Sequence, residues 1–133
     1  MEYRKDIIMR TVQSLVRLIL KILASIEIRD EDEAQEDIDT AFRLLGKSSD
    51  FFTTSDVDTI FEYLESIDSQ YQSILPVSQL IYCQALIVPD EVERKNLLIK
   101  SKLLLELYID HTTVLSTDAL KFSRMVNIKL SKL

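Results

Sequence analysis

A chain of 133 residues with 47% apolar and 29% charged side chains has the size and balance of a single globular domain, which excludes intrinsic disorder. One glycine, two prolines and no Asn-Gly, Asp-Gly or Gly-Gly pair leave too little turn material for a hairpin-rich β fold. The net charge of −6 divides into +2 over residues 1–28, −10 over 29–69, −1 over 70–110 and +3 over 111–133. No concentrated basic face is offered to nucleic acid.

Residues 3–28 read as one long helix. At about 100° per residue, Arg10, Gln13, Ser14, Arg17, Lys21 and Ser25 fall on a narrow polar stripe, and the remainder forms an apolar arc of roughly 200°. That is twice the stripe an amphipathic helix needs, so its own chain, a second copy, a partner or lipid must cover it. Ile8, Leu15, Ile19 and Ile22 are the candidate interaction surface. As a bilayer span the segment fails. Arg17 and Lys21 near its middle cost roughly +2.5 to +3.5 kcal/mol each, against roughly −0.3 to −0.6 for each Ile, Leu or Val. Nor does a small-residue cleavage pattern follow it, so no signal peptide is expected.

The acidic pair of helices over 29–69 starts at Asp30 and Glu33, a capping pair with acids filling the first turn. Its first inward face is Ala34, Ile38, Ala41, Phe42 and Leu45, and Gly46 stands where a left-handed C-terminal cap is required. Residues 47–54 read as a connection whose Phe51 and Phe52 tuck under the neighbouring helices. Ser55 with Asp58 starts the next helix, with Val57, Ile60, Phe61, Leu64 and Ile67 at helical spacing.

Over 70–133 the pattern predicts three more helices. The first begins near Ser73, tolerates Pro76 in its first turn and runs through Leu80, Ile81, Cys83, Ala85 and Leu86 to Val88, so nearly uncharged that it belongs at the centre. Pro89, Asp90 and Glu91 stop the chain and restart it, and the following helix carries Val92, Leu97, Ile99, Leu103, Leu104, Leu107 and Tyr108. A break over 110–117 precedes a last helix capped by Ser116 or Thr117, with Ala119, Phe122, Val126, Leu130 and Leu133 inward. The sum is a single all-α domain of about six helices, built as a bundle or short solenoid of helical hairpins behind a long apolar N-terminal helix.

The inventory for chemistry is thin. Cys83 is the only cysteine, so no internal disulfide forms, and a reducing, cytoplasmic location suits the chain. It reads as a buried small hydrophobe, with no basic residue near in sequence to activate it. His111 falls at the end of a helix, where a cation complements the dipole. The acidic run Asp30, Glu31, Asp32, Glu33, Glu36, Asp37 and Asp39 lacks the spacing of a calcium loop, whose sixth position needs glycine and here is Gln35. No catalytic residue, metal site or cofactor is expected.

Arg4-Lys5-Asp6-Ile7-Ile8-Met9-Arg10, followed by Leu15, Arg17 and Ile22-Leu23, resembles the opening of an uncharacterised family of bacterial all-helical proteins in which a DYIMR-like box starts a long helix. The likeness continues through Leu44-Leu45-Gly46, Phe51, Ser55-Asp56 and Ile60 to Leu64. Lys100-Ser101-Lys102-Leu103-Leu104 resembles the Lys-Ala-x-x-Leu core of a degenerate tetratricopeptide repeat helix, with Ser101 in the alanine's place. The resemblance implies a cytoplasmic helical protein with tetratricopeptide-like C-terminal helices and no assigned activity.

Two functional classes follow. The first is a non-enzymatic protein-interaction or self-association module, with the N-terminal helix capping the hairpins or pairing with its copy in a homodimer. The second is reversible binding at a membrane surface, with Arg10, Arg17 and Lys21 facing anionic head groups.

Overall fold

The structure is a computed structural model that describes residues 2–112 and 116–133, with side chains from Asp6 onward. Among these residues lie seven α-helices and no strand: α1 (Glu2–Glu27), α2 (Glu31–Leu44), α3 (Ser49–Thr54), α4 (Val57–Ile67), α5 (Ile74–Ile87), α6 (Glu91–His111) and α7 (Thr117–Ser131). The all-α architecture agrees with the sequence reading. The additional helix is α3, into which the expected connection over 47–54 coils. The break read over 110–117 is described only at its edges, and residues 113–115 lie outside the described residues, as do the side chains of Arg4 and Lys5 in the opening box.

Local chemistry sets the helix starts. The side chains of Asp30, Asp56, Asp90 and Ser116 accept the backbone N–H groups of Glu33, Thr59, Glu93 and Ala119 at 3.2, 2.8, 3.1 and 3.0 Å, each three residues ahead. At α4 the cap is Asp56 and not Ser55, because the N–H of Ser55 still closes α3 on the carbonyl of Phe51. Ser73 caps α5 without using its hydroxyl. Asp68 takes over, its two carboxylate oxygens accepting from the N–H groups of Gln70 and Ser73 at 3.1 and 2.8 Å. Gly46, at φ +89°, ends α2, and a Cβ there would stand 2.6 Å from the Tyr63 hydroxyl. Conformation and space both require glycine.

The nearly uncharged helix is the central one. α5 packs against α1, α2, α6 and α7, so the architecture is a bundle around α5, whereas in a solenoid each hairpin would touch only its neighbours. Three seams lock it. Ser78 of α5 and Ser101 of α6 are fully buried, and each hydroxyl donates to the other's carbonyl, at 2.6 and 2.7 Å. Two small side chains let the helices close up while satisfying each other's polar atoms. The amides of Gln35 and Gln84 exchange bonds of 2.9 and 2.7 Å between α2 and α5. Phe42 of α2 stacks on Phe52 of α3 with centroids 4.6 Å apart, and Phe51 meets Phe52 edge-on.

Within α6 the buried strip is Leu97, Leu98, Ser101, Leu104 and Leu105, while Val92, Ile99 and Leu103 face outward. The helix is apolar on more than one side, so periodicity alone did not select the strip that meets α5. In α7, Ala119, Phe122 and Val126 are buried as their spacing predicts, and Leu133 is exposed.

Candidate functional site

The wide apolar arc of α1 is covered on one side only. Leu15, Ile19 and Ile22, expected as interaction surface, are buried against α2 and α5, and Ile8 is half-buried. For Leu15 and Ile22 that expectation is corrected, since they point into the chain's own core and have no free surface to offer, whereas Ile19 borders the trough that α1 forms with α7. Left in solvent are the flanks of the arc. Ile7, Met9, Val16 and Leu20 are exposed, and Met9, Val16 and Leu20 lie together roughly 100–140° round the helix from Leu15.

Across from this strip stands α7. Because α7 packs on α6 and α5, it leaves a trough whose floor is α5 and whose walls are α1 and α7. Gln79, Tyr82 and Cys83 form the floor, Val16, Ile19, Leu20 and Leu23 line one wall, and Phe122 and Met125 line the other. The trough encloses about 340 Å³, with Asp118 and Lys121 also in its lining. Tyr82 is fixed edge-on to Phe122 at 5.3 Å, which braces floor against wall. The opposing stretches 16–23 and 118–125 each cover about two helical turns, roughly 11 Å.

The charged side chains in the groove lining are one acid, Asp118, and one base, Lys121. Arg10 and Arg17 follow Leu20 round α1 on its exposed polar stripe, where Arg17 donates to the Ser14 hydroxyl at 3.4 Å. Among the described residues the ion pairs are those of Lys21, at 3.2 Å to both Glu33 and Asp37. Hydrogen bonds from Lys21 to those carboxylates raise its pKa and tie α1 to α2.

Other recesses hold committed groups. Between α4 and α6, Asp56, Asp58, Glu106 and Asp110 border a recess of about 500 Å³, yet among the described residues no group of three His, Cys, Asp or Glu side chains is placed to hold a metal ion. A smaller recess beside α6 contains Lys100, whose Nζ donates to the carbonyls of Thr53 and Phe52 at 2.8 and 3.3 Å and so closes the end of α3. Burial lowers its pKa, and Asp56 opposes that shift. His111 ends α6 as read from sequence, with Nδ1 2.8 Å from the Leu107 carbonyl. Its ring also packs at 5.0 and 4.9 Å on Phe61 and Tyr71, a three-ring contact that clamps α4 and the turn before α5 to the end of α6. Spacing gave no signal for it, since the partners come from separate elements.

Cys83 is 1% exposed, and burial pushes its thiol up to about 12. It lies under the groove as an inert floor residue. None of the described helices is long and apolar enough to cross a membrane. No family model, curated protein or solved structure matches the chain.

Proposed function

We propose that this chain is a non-enzymatic interaction module of the cytoplasm that docks a protein segment in the groove between α1 and α7. The supporting observation is the groove itself: Val16, Leu20 and Met125 stand in water around a floor held rigid by the α5 seams. Solvated apolar side chains gathered along a trough are what a helix-in-groove partner uses. The tetratricopeptide-like reading of the C-terminal part draws support from Ser101, which occupies a close-packing position against α5 like the small residue of a repeat hairpin. Self-association through the same groove belongs to the same functional class.

Binding at a membrane surface has less in its favour. Of the three cations assigned to head groups, Lys21 is engaged by Glu33 and Asp37, and the middle of the apolar arc is core.

Site-specific photocrosslinking in cells tests the proposal. A benzoylphenylalanine at position 20 is expected to give a discrete adduct with another polypeptide, and the same group at Lys95, exposed on α6 away from the groove, is expected to give none. Absence of any adduct at positions 16, 20 and 125 would remove the groove as a docking site.

A further inference from the structure

The recess between α4 and α6 shares no lining residue with the α1–α7 groove, and its charge has one sign. Val57, Leu103 and Leu107 are its apolar lining, with Leu103 42% exposed. Its four charged side chains, Asp56, Asp58, Glu106 and Asp110, are all acids. Lys100, the base whose charge reaches Asp56, lines a different recess and spends its Nζ on the carbonyls of Phe52 and Thr53. Lys102, one turn before Glu106 on α6, makes no ion pair with it.

The complementary surface stands on α7. Lys121, Arg124, Ile128 and Lys132 wind onto one exposed stripe, on the side of the helix away from the buried Ala119, Phe122 and Val126. Ile128 is 53% exposed. The three cations have no acidic partner among the described residues, and Asp118, the one acid of α7, lines the groove instead. Because the buried side holds α7 on α5 and α6, the stripe points away from its own chain and does not reach its own recess.

We infer that the recess seats α7 of a second copy, two chains exchanging stripes across a two-fold axis so that Ile128 meets Leu103 and Leu107 while Lys121 and Arg124 face the carboxylates. The reach matches, since Leu103 to Asp110 and Lys121 to Ile128 each cover about two helical turns, roughly 11 Å. Opposite charge steers the two surfaces together and fixes their register. Recess and stripe belong to elements that both pack on α6, and the exchange makes the same contact twice, which closes the assembly at a dimer. A basic segment of another protein would have to displace a stripe that is present at the same concentration as the recess wherever this chain is.

Sedimentation equilibrium of the full chain from micromolar to millimolar concentration is expected to show monomer and dimer, with association weakening about tenfold or more between low and high salt. Charge reversal in the recess, Glu106→Lys with Asp110→Lys, and on the stripe, Lys121→Glu with Arg124→Glu, should each weaken the dimer about tenfold or more. Mixing these two variants should restore most of it. The reversed recess of one then meets the reversed stripe of the other, and the two unreversed surfaces meet across the second contact. All four positions are exposed, and circular dichroism would verify that the variants keep their helix content. A monomer at every concentration overturns the inference, as does a mixture no more associated than its components. A dimer that Leu20→Glu splits and the recess variant does not puts the second copy in the α1–α7 groove, which overturns the exchange and keeps the groove reading. A chain that stays monomeric but binds a leucine–lysine helical peptide, and loses it in the recess variant, gives the recess to another protein. Photocrosslinking at position 20 is untouched by the recess variant, so this inference and the groove reading fail separately.

Discussion

Leu15 and Leu20 are the same residue type on the same helix, five positions apart, yet Leu15 is fully enclosed and Leu20 is 65% exposed. The difference lies in their neighbours. Leu15 faces the side of α1 on which α2 and α5 close, and Leu20 faces α7, which packs on α5 and α6 and stays across the groove. Two apolar faces on one helix thus have separate roles: one holds the bundle together, and the other remains solvated beside a rigid floor. A helix needing only to fold would gain from a polar residue at position 20, so the exposed leucine marks where packing within the chain ends.

The enclosed side is where substitution costs most. Phe42→Ala, which removes the ring stacked on Phe52 and leaves a cavity between α2 and α3, is expected to lower unfolding free energy by about 3–5 kcal/mol, read by urea denaturation. A loss under 1 kcal/mol would mean that this aromatic seam is not packed as described.

The sharpest contrast is within α1. Leu15→Ala should cost about 2–5 kcal/mol, and Leu20→Ala should stay within about 0.5 kcal/mol of the parent. Comparable losses at both positions in the same denaturation experiment would mean that α7 or a second chain covers Leu20 in solution, and the two faces would no longer differ.

Gly46→Ala tests the turn that lets α3 fold back under α2. The left-handed backbone and the Tyr63 hydroxyl, which donates to the Leu45 carbonyl, both oppose a methyl group, and a loss of about 1–3 kcal/mol in thermal or chemical unfolding is expected. An unchanged midpoint would imply that the turn relaxes without strain.

The smallest effect concerns pH. Hydrogen bonds from Thr59 hold the carboxyl of Asp56 below its ordinary value. Its contribution is therefore present above the unfolded carboxylate range and disappears as pH falls through the folded value. Asp56→Ala should be less stable than the parent at neutral pH, with the gap narrowing below about pH 4. A gap that stays constant down to strong acid would show that the carboxylate charge at this cap contributes nothing.

Much of this was legible before any tertiary contact. Asp30, Asp90 and Ser116 cap helices because a short polar side chain before an apolar run has an unpaired N–H within reach three residues on. The core face of α2 and the central place of α5 also follow from residue order, since an uncharged helix has nowhere stable to lie except among others. The site was legible only in outline. An apolar arc too wide for one neighbour was visible in residues 3–28, but of the interaction surface read at Ile8, Leu15, Ile19 and Ile22, Leu15 and Ile22 are core and Ile19 borders the groove. In α6, likewise, the strip containing Leu98 and Leu105 could not be told from the one containing Ile99 and Leu103, because both repeat at helical spacing.

By itself, then, the order of residues determined which segments coil, where most of them begin and end, and that α1 carries more apolar surface than one neighbour covers. Those properties depend on backbone hydrogen bonds and spacing within a few turns. Tertiary structure alone decided which side of α1 is enclosed, that α7 stands off to form a groove, and that Ser78 meets Ser101 and His111 meets Phe61 and Tyr71. Those outcomes depend on how distant elements share a fixed volume, and no periodicity within a single helix encodes that.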